Sequence, residues 1–146
     1  MDVSVDDILA IGFTGSMYGL DQKELESMVD EVIFEQENLV QARVGPARYA
    51  LLDNQTAVNK TIKNLAAAEM ARRRIVALSA NTVFDAGESA EAAQLRLLIF
   101  DWENQAHFWI GRVFEGIVSD TGDFSSGVNI SESENRLFHP RLVTMW

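Results

Sequence analysis

Apolar residues recur at helical spacing in three long stretches and one brief one. The clearest begins at Asp21, where Glu24 stands three residues on, the spacing of a capping box. Leu25, Met28, Val29, Val32, Ile33, Leu39 and Val40 then follow the i, i+3, i+4, i+7 rule. A helix is predicted from Asp21 to about Val44, closed by Gly45 as a left-handed C-cap and by Pro46, which cannot continue it. Asp53, Asn54 or Thr56 opens a second long helix running to about Ala80, with an apolar stripe of Val58, Ile62, Leu65 and Val76 and an alanine-rich body that favours the helical state. Asp85 and Glu88 repeat the capping-box spacing ahead of a third, from about Gly87 to Val118. Its stripe is Leu95, Leu98, Ile99, Trp102, Ala106, Trp109, Ile110, Val113 and Ile117. Near the N-terminus, Ser4 and Asp7 cap a short helix carrying Val5, Ile8, Leu9 and Ile11. The glycine-rich "GFTGSMYGL" that follows has no period and reads as a loop.

Two positions break this pattern. At 100° per residue Glu69 lies in the middle of the second long helix's stripe with Arg72 and Arg73 on its flanks, and a charge placed there requires a partner. On the third long helix Leu97 and Phe108 lie nearly opposite the stripe, and Phe100 and Phe114 to one side. A helix that is apolar on two sides needs two neighbours. The second is either this chain's own short helix, "PARYALLD" loop or tail, or another subunit packing on Leu97, Phe100 and Phe108.

The helical period stops at Ser119. "SDTGDFSSGVNISESEN" is rich in Ser, Asp and Gly, with Phe124, Val128 and Ile130 suited at most to an extended arm, and the chain then runs into the apolar "NRLFHPRLVTMW". The fold expected is all-α: a small helical bundle of one short and three long helices over residues 1–118, with an extended C-terminal arm over 119–146.

Composition narrows the function classes. A chain of 146 residues fits one domain and can bury roughly two thirds of its unfolded surface. With no cysteine it has neither a disulfide framework nor a thiolate metal site, and without a signal segment or an apolar run of membrane-spanning length a cytoplasmic origin is expected. The net charge of −10 argues against a large non-specific nucleic-acid surface. Arg72, Arg73 and Arg74 form the one basic cluster. It has three readings: a solvated face with a Glu69–Arg73 pair at i, i+4, inter-subunit pairing through Glu69, Arg72 and Arg73, or a small nucleic-acid contact.

Candidate catalytic chemistry is sparse. Glu103 and His107, four apart on one helix with Asp101 nearby, make a conceivable metal or acid/base pair, but the two-His spacing of a helical zinc protease is absent. His139 stands before Pro140 in the arm, away from any scaffold. No P-loop, dinucleotide fingerprint or nucleophile elbow occurs. The expectation is a protein that is not an enzyme and uses no cofactor or metal.

A short helix, a loop, an acidic amphipathic helix, a "VGPARY" break, the helix "KNLAAAEMARRRIVAL", a long aromatic helix and an extended tail follow one another over Val5 to Val118 and beyond. This order resembles the head-to-tail adaptor, or connector, proteins of tailed bacteriophages. The resemblance implies a virion protein made in the host cytoplasm and assembled as a homo-oligomeric ring, commonly a dodecamer, beneath the portal protein. The ring would continue the DNA channel toward a neck or tail-completion protein and let DNA slide without specific binding. It also implies that the C-terminal segment leaves the bundle to dock on the portal, with Leu137, Phe138, Leu142, Val143, Met145 and Trp146 as anchors. A small helical DNA-binding oligomer using the Arg72–Arg74 helix is the alternative. The arm can equally fold back over Leu97 and Phe108 of its own chain.

Overall fold

The computed structural model describes residues 2–81 and 89–119. They form five α-helices: α1 (Val5–Leu9), α2 (Gln22–Val44), α3 (Pro46–Ala50), α4 (Gln55–Asn81) and α5 (Ala90–Ser119). Short 3₁₀ turns at Gly15–Met17 and Leu52–Asn54 precede α2 and α4. The chain is an all-α bundle with three long helices, as its periodicity predicts. The Asp85–Glu88 cap and the arm beyond Ser119 lie outside the described residues.

Both capping boxes are made. Asp7 N donates to Ser4 Oγ at 3.2 Å while Ser4 N donates to Asp7 Oδ2 at 2.9 Å. Glu24 N donates to Asp21 Oδ1 at 2.8 Å and Asp21 N to Glu24 Oε1 at 3.0 Å. Each box satisfies two backbone donors that a helix start leaves open. Gly45 ends α2 at φ +91°, a conformation side chains rarely adopt, and its N–H closes on Gln41 O at 2.9 Å. Pro46 does more than stop α2. It occupies the first position of α3, where its fixed φ suits a helix start and its missing N–H costs nothing, so the predicted break contains a second short helix.

None of the three anticipated caps opens α4 in the expected way. The Leu52–Asn54 turn leads directly into Gln55, and Asn54 is buried with its amide turned back to donate to Arg48 O at 3.0 Å. Gln55 likewise donates backward, to Tyr49 O at 2.9 Å and Leu51 O at 3.1 Å, so these two side chains satisfy carbonyls of the link between α3 and α4. For α5 the cap is Ser89, whose Oγ accepts from Ala92 N at 3.1 Å.

α4 is the central member. Its Val58, Ile62 and Leu65 are buried, together with Ala66, Ala67, Ala68, Met70, Ala71 and Ile75, so between Leu65 and Ala71 almost every side chain is enclosed. The alanines leave room for neighbours on more than one side: α1 and α2 pack on α4, and α5 lies antiparallel along it. α2 presents Leu25, Val29, Val32, Ile33, Val40 and Val44 to this core, and α5 presents Ala106, Ile110 and Val113. Burying Ile8, Leu25, Ile62 or Met70 contributes about 1.5 to 3 kcal/mol each. Thr61, also buried, donates its hydroxyl to Ala57 O at 2.8 Å.

Two stripe assignments are corrected. Val76 shares a helical face with Val58 but is 69% exposed, because the buried side of α4 turns past Leu65 toward Met70, Ala71 and Ile75. Leu98 is 39% exposed at the edge of the α5 stripe.

Candidate functional site

The described surface with the most apolar character is the outer side of the α4–α5 hairpin. Leu97 is 69%, Phe100 50% and Phe108 52% exposed, so among the described residues neither α1 nor the α3 region covers them. Leu97 and Phe108 are eleven residues apart and therefore about 16 Å apart along one line of α5. The Phe108 ring meets Trp109 edge-on at 5.1 Å, and the Arg112 guanidinium sits 5.8 Å from its centroid. Exposed large apolar groups gathered on one helix side mark an interaction surface more often than scattered ones do.

Beside this line a groove of about 530 Å³ runs between the helices. Ile75 and Val76 of α4 face Ile99 and Phe100 of α5 across it, while Arg72, Arg96 and Glu103 supply its charge. Two guanidiniums against one carboxylate make the groove net positive in a chain whose formal charge is −10.

The charged residues singled out by sequence are brought together here. Arg73 Nε donates to Glu69 Oε2 at 3.1 Å and Arg73 Nη2 reaches Glu35 on α2 at 3.5 Å. Arg72 lies 3.6 Å from Glu69 and forms an ion pair with Glu103 on α5. Glu69 thus has the partners its position demands, and the cluster bridges all three long helices. Arg74 points elsewhere. Its Nε and Nη2 fork onto Glu91 at 2.8 and 3.0 Å, while Nη1 donates to the Met17 carbonyl at 2.6 Å. These bonds hold the Arg74 guanidinium more firmly protonated and the Glu91 carboxyl below the usual carboxylate range.

These ion pairs lie within one chain. They place Glu69, Arg72 and Arg73 where they tie helices together, while Leu97, Phe100 and Phe108 remain open to a partner. The arm residues Leu137, Phe138, Leu142, Val143, Met145 and Trp146 lie outside the described residues. Glu103 is engaged by Arg72, and His107, half-buried one turn on, is pushed below the usual imidazole value by burial and then by Arg43. Among the described residues no three His, Cys, Asp or Glu side chains are grouped to hold a metal ion, and no helix is long and apolar enough to cross a membrane.

Sequence reasoning missed two contacts that shape this region. The Arg74–Glu91 fork joins residues 17 apart across the hairpin, with no local spacing rule to announce it. The Tyr18 hydroxyl donates to Met70 O at 2.8 Å, fixing the loop predicted from "GFTGSMYGL" against α4, and burial pushes its phenol up. An aromatic inside a glycine-rich loop is the signal that pointed to it. No protein-family model, curated protein or solved structure matches this chain.

Proposed function

We propose that this protein is a structural virion component, a head-to-tail adaptor of a tailed bacteriophage that forms a ring beneath the portal and docks to it through its C-terminal arm. The observation that carries the reading is the exposed apolar line of Leu97, Phe100 and Phe108 on an otherwise acidic bundle. A ring needs each subunit to offer its neighbour such a surface, and a central channel for DNA favours an acidic lining that does not hold phosphate. The helix order and the apolar segment 135–146 support the same reading. Portal and downstream neck protein are the partners it requires, and no catalytic step or cofactor enters.

The alternative of a DNA-binding oligomer has less to support it. Its proposed contact residues Arg72, Arg73 and Arg74 are each engaged with carboxylates of the same chain, which lowers their yield in phosphate neutralisation.

The experiment is imaging of the purified protein with and without the portal ring of its phage. A twelve-fold layer beneath the portal is expected, lost on deleting residues 135–146 while the helical circular dichroism stays unchanged. Absence of any layer with the full chain rejects the adaptor reading.

A further inference from the structure

The groove between α4 and α5 combines an apolar floor, net positive charge and a length of chain able to reach it. Residues 120–135, "DTGDFSSGVNISESEN", carry Asp120, Asp123, Glu132 and Glu134 and no Lys or Arg. Side chains two apart share one edge of an extended chain. In this segment Val128, Ile130, Glu132 and Glu134 fall on one edge, and Asn129, Ser131, Ser133 and Asn135 on the other. One edge thus reads apolar, apolar, acidic, acidic.

The groove has the same order along α5. Travelling from Ser119 back toward Ala90, the apolar level of Phe100, Ile99 and Val76 comes before Arg96, which lies one turn further. Phe100 is 19 residues from Ser119, about 28 Å along the helix. Ile130 is 11 residues beyond Ser119 and reaches at most about 36 Å when extended. With Ile130 at Phe100, the next same-edge residue, Glu132, falls about 6.6 Å on, matching the roughly 6 Å from Phe100 to Arg96.

We propose that residues 128–134 of the same chain dock in this groove, running antiparallel to α5, with Val128 and Ile130 on the Val76–Phe100 floor and Glu132 toward Arg96. The tether is short, so its effective concentration favours the chain's own groove over a neighbour's. The basic segment Arg136–Trp146 would be repelled by the same arginines and is carried past the hairpin end. In the adaptor reading this sets the end of the bundle at which the docking anchors emerge, but the inference does not depend on that reading.

The test uses the full chain alone. Because the protein has no cysteine, Val76→Cys with Ile130→Cys introduces a single pair, and Val76 is exposed enough to replace without disturbing the core. Phe100→Cys with Ile130→Cys is the second pair. Mild oxidation is expected to give an intrachain disulfide at least about ten-fold faster than in denaturing urea, where only chain collisions join the two thiols. Arg96→Glu should slow the reaction several-fold, and adding Glu132→Arg should restore it. The inference is overturned by rates no faster than in urea for both pairs, by disulfides that form only between chains, or by indifference to the Arg96 charge. A portal that still recruits the protein after such a result would leave the adaptor reading standing.

Discussion

Arg74 and Glu91 meet as a planar fork, with Nε to Oε2 at 2.8 Å and Nη2 to Oε1 at 3.0 Å, while the third nitrogen of the same guanidinium caps Met17 O at 2.6 Å. One side chain on α4 therefore joins the N-terminal loop and the start of α5. Lysine carries the charge but not the fork. Arg74→Lys is expected to lower stability in urea unfolding by about 1 kcal/mol and Arg74→Ala by about 1 to 3 kcal/mol, the range for hydrogen bonds to charged groups. Equal losses in the two variants would show that geometry contributes nothing.

The same pair sets an acid limit. Glu91 is held low chiefly by its hydrogen bond from Arg74, and Asp7 chiefly by the Ser4 backbone N–H. A carboxyl depressed in the folded state binds fewer protons than in the unfolded chain, so its contribution is present above the unfolded value, about pH 4. It is lost as pH falls further through the folded one. Glu91→Gln should be less stable than the parent at pH 7 and lose less on acidification below pH 4. Parallel stability curves for the two proteins would contradict this.

Gly15 packs directly against the Leu20 carbonyl oxygen, so an added Cβ would collide with backbone, and Leu20 N donates to Gly15 O at 2.9 Å across the same turn. Gly15→Ala should cost more than about 1 kcal/mol and loosen the Tyr18 contact with α4. Thermal unfolding, with tyrosine fluorescence as a second probe, reads both effects. Gly111→Ala, where an added methyl meets nothing within 4 Å, is the matched control.

Ile62 and Leu97 separate the inner surface from the outer. Ile62 is 1% exposed, and Ile62→Ala should cost about 2 to 5 kcal/mol. Leu97→Ser, at a position 69% exposed, should stay within about 0.5 kcal/mol in the isolated chain. If sedimentation shows the parent to self-associate, the serine variant should weaken that association. A large loss of monomer stability in Leu97→Ser would mean that the chain covers this position itself.

The starts of α1 and α2 were legible because Ser4–Asp7 and Asp21–Glu24 are local devices whose bonds close within four residues. Pro46 was half-legible: its inability to continue α2 was plain, its fitness to begin α3 less so, because both follow from the same ring. Val76 misled because periodicity assumes that one face stays buried along the whole helix. α4 exchanges neighbours midway, so its enclosed side rotates while the repeat does not. The Glu69 anomaly pointed correctly to a partner but could not say that Glu103 and Glu35, from two other helices, would share the arginines. Exposure of Leu97 and Phe108 was predictable from angle alone, whereas the groove beside them depends on how α4 and α5 lie together.

The run Ala66, Ala67, Ala68 and Ala71 has a consequence for how the protein tolerates change. A methyl is the largest group that fits where α4 is enclosed on several sides, and extra carbons forced into such a site typically cost about 1 to 3 kcal/mol. Substitution is therefore least forgiving at the smallest side chains of the bundle, while bulky Leu97 and Phe108 are free to vary with whatever they meet.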